Sequence, residues 1–292
     1  MSAQTKTKEV PVAPSPQVRT PRARDPRAAA PLTASLAASP LAAVRLELAK
    51  MRRLRTLPVV ALLAGATVAL SSMNLFAASA RPGFSDPAEH LWEGLLLGYG
   101  MMAAITGPVL VSVLASRQTD IEHSGAGWTL FATAGHTPGA LCRAKLAALA
   151  LVVVPTVVAQ SVGLVLVARL AGVSVPWQAG PWVSYTVGLI LVDLVFCAFH
   201  VWLAAVQENQ LVGVGVGLLG AFVAVYMLLA PQWVTRLVPW GYYAMVCCAR
   251  ISGTGRAGAE YVTPPWGWVL GFLLLAAALF AAATRRLDRI ER

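Results

Sequence analysis

The chain has 292 residues, of which 57% are hydrophobic and only 12% charged, with a formal net charge of +10. Its mean hydropathy of +0.66 excludes an ordinary soluble domain, in which about a quarter of residues are charged. The basic residues crowd onto one side of a set of apolar stretches, which argues for anionic lipid and against a nucleic-acid partner.

Residues 1–40 are rich in Pro, Ala and Arg, with Pro11, Pro14, Pro16, Pro21, Pro26, Pro31 and Pro40 spread along them. They hold no apolar core to bury, so a disordered cytoplasmic tail is expected. The compact apolar region of a secretory signal peptide is absent from them. Residues 41–56 (LAAVRLELAKMRRLRT) change character. Leu41, Val44, Leu48 and Met51 recur at helical spacing, while Arg45, Lys50, Arg52 and Arg53 occupy other faces. This pattern predicts an amphipathic lead-in helix along the cytoplasmic surface, its cations toward lipid phosphates.

Six apolar stretches follow, at about 57–78, 92–116, 146–168, 182–206, 211–230 and 266–284. Each is close to the roughly 20 residues that a membrane helix needs. Of the 23 Lys and Arg residues, only Arg81, Arg169, Arg236, Arg250 and Arg256 fall outside if the N-terminus is cytoplasmic. The asymmetry predicts both termini in the cytoplasm and a multi-pass protein of the inner (cytoplasmic) membrane. The expected fold is therefore an all-α integral membrane protein, with one six-helix transmembrane domain over 41–292.

Gly107-Pro108 and Pro155 each remove a backbone hydrogen bond from spans two and three and permit a kink there. In span five Gly213, Gly217, Gly220 and Ala224 share one face, and small residues so spaced let another helix approach closely. That helix is either a neighbouring span of the same chain or the same span of a second chain. Residues 231–265 hold Trp233, Leu237, Trp240, Tyr242 and Tyr243 among many apolar neighbours. They are too apolar for a solvated loop and too interrupted by Pro and Gly to span. A re-entrant or interfacial outer hairpin is predicted between spans five and six, with its Trp and Tyr at headgroup level.

The chain holds no GxxxxGK[ST] phosphate loop, no HExxH and no GxSxG, so no catalytic residues of its own are expected. His90, His123, His136 and His200 are too scattered for a metal site. Cys142, Cys197, Cys247 and Cys248 have neither metal nor disulfide-framework spacing and read as small packing residues. Asp193 is the anomaly, because a carboxylate at mid-membrane is costly unless neutralised or paired. His200 follows seven residues later, about 10 Å of helical rise away on the same face. The two either line a proton, cation or substrate path, or are structural, with Asp193 hydrogen-bonded near Thr156 or Gln160 of span three. Between spans two and three, residues 117–145 are polar at both ends, yet Trp128, Leu130, Phe131 and Leu141 give the middle an apolar face. A short amphipathic helix there would present that face to a soluble partner. Arg117, Asp120, Glu122, Arg143 and Lys145 would set its angle through ion pairs.

In layout the chain resembles the membrane subunits of type-2 ABC exporters, particularly the branch of lantibiotic-immunity and related peptide-antibiotic permeases. The correspondence rests on four features over about 41–292. They are the basic lead-in helix, the run Glu122, Gly127-Trp128, Pro138, Arg143 and Lys145 before span three, the six spans, and Pro239-Trp240 in the outer hairpin. The resemblance implies that 117–145 forms a coupling segment against a separate ATPase, with Arg117, Glu122, Trp128, Phe131, Arg143 and Lys145 at the contact. It further implies two copies of a soluble ABC ATPase carrying ATP and Mg, and a second permease chain, identical or related. The cargo would be a hydrophobic or amphipathic peptide antibiotic, drug or lipid moved outward. Two other functions remain: an ATP-independent secondary transporter or channel using Asp193, and a non-transporting scaffold or sensor component.

Overall fold

The computed structural model describes residues 40–125, 137–251 and 258–290. The expected tail lies outside the described residues. A short helix, α1 (Pro40–Arg53), precedes the long helices α2 (Thr56–Ser72), α3 (Leu91–Ser124), α4 (Pro138–Ala171), α5 (Ala179–Val206) and α6 (Gln210–Met227). A compact excursion follows, made of α7 (Gln232–Leu237), a 3₁₀ turn (Pro239–Gly241), α8 (Tyr242–Met245) and two short strands, β1 (Ala249–Ile251) and β2 (Ala259–Tyr261). The last helix is α9 (Trp266–Ile290). Helices α2 to α6 and α9 are long and apolar enough to cross a membrane.

Helix α3 is the centre of the bundle. It packs most extensively on α6, then on α5 and α2, and also touches α8, β1 and β2. Helix α4 bridges α2 and α5, while α9 sits at the periphery against α4 and α5. α2, α3 and α4 are apolar around much of their circumference because one side packs and the rest faces lipid. Pro108 and Pro155 lie inside α3 and α4 without ending them.

The lead-in segment departs from the single helix predicted over 41–56. It breaks at Leu54–Arg55, where Arg55 takes φ 52 and ψ 43, a left-handed conformation that costs a non-glycine residue about 1–2 kcal/mol. Arg117 donates to the Leu54 carbonyl at 2.9 Å and holds this elbow against α3. Val44, Leu48 and Met51 pack on the core, whereas Leu41 and Leu46 stay exposed. The amphipathic face is thus shared between the bundle and the surroundings.

At the other end, α4 stops at Gly172, whose φ of 103 suits a residue without Cβ. Arg169 donates to the carbonyls of Val173 and Val175 at 2.9 and 3.1 Å and lies 5.1 Å from the Trp92 ring centre. The region between α6 and α9 (hereafter the hairpin), where an outer hairpin is expected, is built partly of strand. β1 and β2 pair antiparallel with Arg250 opposite Glu260, a local exception to the all-α expectation.

Candidate functional site

The end of the bundle where α1 docks carries a buried ionic cluster. Lys145 of α4 donates to Glu47 Oε2 at 2.8 Å, to Glu122 Oε1 at 2.9 Å and to the Gln118 carbonyl at 2.9 Å. All three ammonium hydrogens are therefore used. Lys50, one turn beyond Glu47 on α1, donates to Glu47 Oε1 at 2.7 Å and to Glu122 Oε1 at 2.6 Å. Gln118 Nε2 adds a bond to Glu47 Oε2 at 3.1 Å. Glu47 and Lys145 have no exposed surface, and Glu122 is 2% exposed.

Two carboxylates face two ammoniums, so the cluster is neutral overall. Burial pulls the Lys50 pKa down, but its hydrogen bonds to Glu122 and Glu47 and their charges outweigh that effect, and the net shift is upward. Lys50 is thus cationic at neutral pH. A neutral set of mutually hydrogen-bonded charges can sit away from water, whereas any single charge left alone would be uncompensated and buried. The cluster makes α1, α3 and α4 one mechanical unit.

Around it the predicted contact residues separate. Residues 117–124 and 138–145 are not loop, as expected, but belong to α3 and α4. These helices extend past the apolar core because α1 covers their polar turns. Trp128 and Phe131 lie outside the described residues. Arg117 works at the α1–α2 elbow. Arg143 is half exposed, with Nη1 3.7 Å from Asp288 Oδ2 on α9. Asp288 Oδ1 also accepts from the Gly139 N–H at 2.8 Å, tying α9 to the first turn of α4. A Cβ at Gly139 would collide with the Thr284 carbonyl, so a glycine is needed at this crossing. His123 makes a 2.8 Å hydrogen-bond contact with the Ala204 carbonyl of α5.

Asp193 lies midway along α5 and accepts a 2.7 Å hydrogen bond from the Tyr243 hydroxyl of α8. The predicted neighbours on span three are otherwise engaged. Thr156 bonds back to the Val152 carbonyl and Gln160 accepts from Tyr99. The hairpin therefore reaches into the bundle far enough to satisfy a mid-helix carboxylate. Gly107 makes the room, since its Cβ would lie 2.9 Å from Asp193 Oδ1 and 3.0 Å from the Tyr243 ring. His200 is buried on the same helix, and neither ring nitrogen has a hydrogen-bond partner among the described residues. The structure does not join it to Asp193.

The small-residue face of α6 is filled from within the same chain. Cβ atoms at Gly213 and Gly217 would press on Ser116 and Ser112 of α3, and one at Gly220 would press on Trp240. Glu47, Lys50, Gln118, Asp288 and Tyr243 are the functional neighbours that the sequence did not single out. The one usable signal was Glu47, the sole acidic residue of 41–56.

The profile of ABC-2 family transporter proteins matches residues 43–224, from α1 to near the end of α6. The chain belongs to the ABC-2 transporter family. It is a multi-pass membrane subunit of an ABC transporter and not itself the ATPase, and membership implies association with an ABC ATPase subunit. No curated protein matches the chain significantly. In this ABC-2 subunit the ionic cluster and Asp193 fall within the matched segment, whereas Tyr243, the rest of the hairpin and α9 lie beyond it.

Proposed function

We propose that this ABC-2 subunit is the permease of an ATP-driven exporter of the inner membrane, with both termini cytoplasmic. The cargo is a hydrophobic or amphipathic molecule of the kind handled by peptide-antibiotic permeases. The observation that carries the reading is the buried cluster of Glu47, Lys50, Glu122 and Lys145. It welds α1 to the two helices flanking residues 126–136, so a push on that connection moves three helices together. Two ATPase copies would deliver the push, and a second permease chain, identical or related, would complete the path. Because the α6 glycines already face α3 and Trp240, that second chain would use a different surface.

Glu122 sits inside the cluster, so reversing its charge would test folding rather than contact. Arg143 is the better probe, because its ion pair with Asp288 is half exposed and pairs of that kind are worth about 0–1 kcal/mol. Arg143→Glu is expected to leave insertion and thermal stability near wild type while lowering ATP-dependent transport and ATPase co-purification at least fivefold. Unchanged co-purification would remove Arg143 from the contact. Affinity purification of the wild-type chain from its membrane, with mass spectrometry of stoichiometric partners, tests the class itself. A co-purifying protein with a phosphate loop supports it, and recovery of the permease alone after crosslinking overturns it.

The carrier reading is served by Asp193, whose carboxylate accepts a 2.7 Å hydrogen bond from the Tyr243 hydroxyl. Asparagine keeps an acceptor for the tyrosine hydroxyl but cannot ionise. Asp193→Asn is expected to retain more than half of ATP-dependent transport. A proton-coupled carrier would instead lose its gradient dependence in that variant.

A further inference from the structure

An apolar groove runs along α9 that neither the ionic cluster nor the Asp193–Tyr243 contact uses. It has two limbs. One, of about 720 Å³, lies between α9 and the hairpin along Gly267, Trp268, Gly271 and Leu275. The other, of about 410 Å³, lies between α9 and α5 and is walled by Phe199, Trp202, Phe280 and Ala283. Pro239, Phe272, Ala276 and Leu279 border both, so the limbs meet on one ridge of α9. Gly267 and Gly271 keep the first limb open, with nothing within 4 Å of where their Cβ atoms would be.

A cation stands at the hairpin end. The Arg236 guanidinium lies 4.8 Å from the Trp268 ring centre, and its Nη2 donates to Gln232 at 3.2 Å. Its Nε is buried without a hydrogen-bond partner among the described residues. A partly exposed guanidinium at the mouth of an otherwise apolar groove is complementary to an anionic oxygen.

We infer that this groove is a binding site for one anionic diacyl phospholipid. The phosphate sits on Arg236 and one acyl chain lies in each limb, straddling the Phe272–Ala276–Leu279 ridge. The dimensions fit. From Phe272 to Ala283 the helix rises about 16 Å, close to half of the roughly 30 Å hydrocarbon core, which is the depth of one leaflet. Trp268 and Tyr242 border the mouth, where aromatic side chains mark the headgroup level. The lipid tails would fill the space that side chains leave beside the sparsely packed α9. The site is independent of the transport reading and stands whether or not the subunit exports cargo.

Native mass spectrometry of the purified full chain, titrated with phosphatidylglycerol and with diacylglycerol carrying the same tails, tests it. The wild type is expected to bind one phosphatidylglycerol at least tenfold more tightly than diacylglycerol. Arg236→Gln is expected to abolish that preference and leave diacylglycerol binding unchanged. Ala276→Trp, which blocks both limbs, is expected to lose both ligands. Leu274→Trp, on the exposed face of α9 outside the groove, is expected to bind as wild type and shows that a bulky residue on this helix does not unfold it. Full binding by Ala276→Trp, or no preference for phosphate in the wild type, would overturn the site. So would efficient chain-to-chain disulfide formation by Leu275→Cys in native membranes, because a second copy would then occupy the groove.

Discussion

Lys145→Met is expected to free α1 from the bundle and cost about 3–5 kcal/mol, the range found when one member of a buried ion pair is removed. Methionine keeps most of the aliphatic stem, so packing changes little. What disappears is the ammonium that satisfies Glu47, Glu122 and the Gln118 carbonyl at once. Glu47, with no exposed surface, would then share Lys50 with Glu122 and retain only the Gln118 amide besides. The least costly escape is for α1 to swing away so that Glu47 reaches water. Trypsin should then cut rapidly around Arg52, Arg53 and Arg55, and the detergent-solubilised protein should melt at lower temperature. Glu47→Leu in the same chain is expected to recover most of the loss, because it removes the stranded charge and leaves Lys50 paired with Glu122. A Lys145→Met protein with wild-type protease resistance and melting would show that the cluster does not hold α1.

The sequence exposed only half of this cluster, for a physical reason. Glu122 and Lys145 stand out as charges beside apolar spans. Glu47 and Lys50 were hidden by the amphipathic pattern around them, which assigns charged positions to lipid phosphates or water. Nothing local indicates that Glu47 pairs with a residue 98 positions away. Asp193 shows the same limit. Its burial was legible because any carboxylate within an apolar span must be satisfied. Its partner was not, because Tyr243 lies 50 positions on in a segment whose aromatics read as interfacial anchors. The spans themselves were readable because bilayer thickness imposes a length that composition records directly. Helix ends were less so. Residues 117–124 and 138–145 look like loop by polarity, yet they continue α3 and α4 because α1 supplies their polar partners.

Gly217→Ala is expected to destabilise the protein by about 1–3 kcal/mol, the usual range for overpacking, and Gly217→Leu to prevent recovery of folded protein. In lipid no hydrophobic gain draws helices together, so close backbone approach and van der Waals contact must do it. The α3–α6 contact is the most extensive in the bundle, and Gly217 sits at its tightest point. A single methyl there would collide with the Ser112 side chain and lie 2.9 Å from the Pro108 carbonyl. The backbone near Pro108 already lacks one helical hydrogen bond, since proline cannot donate, so α3 can yield somewhat but not by a full carbon diameter. Ser112 has its own anchor, a 2.9 Å bond to the Val109 carbonyl, and cannot rotate away without losing it. The closest clash is with Ser112, so Ser112→Gly in the Gly217→Ala background should restore part of the lost stability, while the approach to the Pro108 carbonyl remains. Gly215→Ala, at a position with nothing within 4 Å of the added methyl, should be neutral. Thermal unfolding followed by size-exclusion chromatography reads all four proteins. Equal melting of Gly215→Ala and Gly217→Ala would mean that the glycine face of α6 is not where α3 is held.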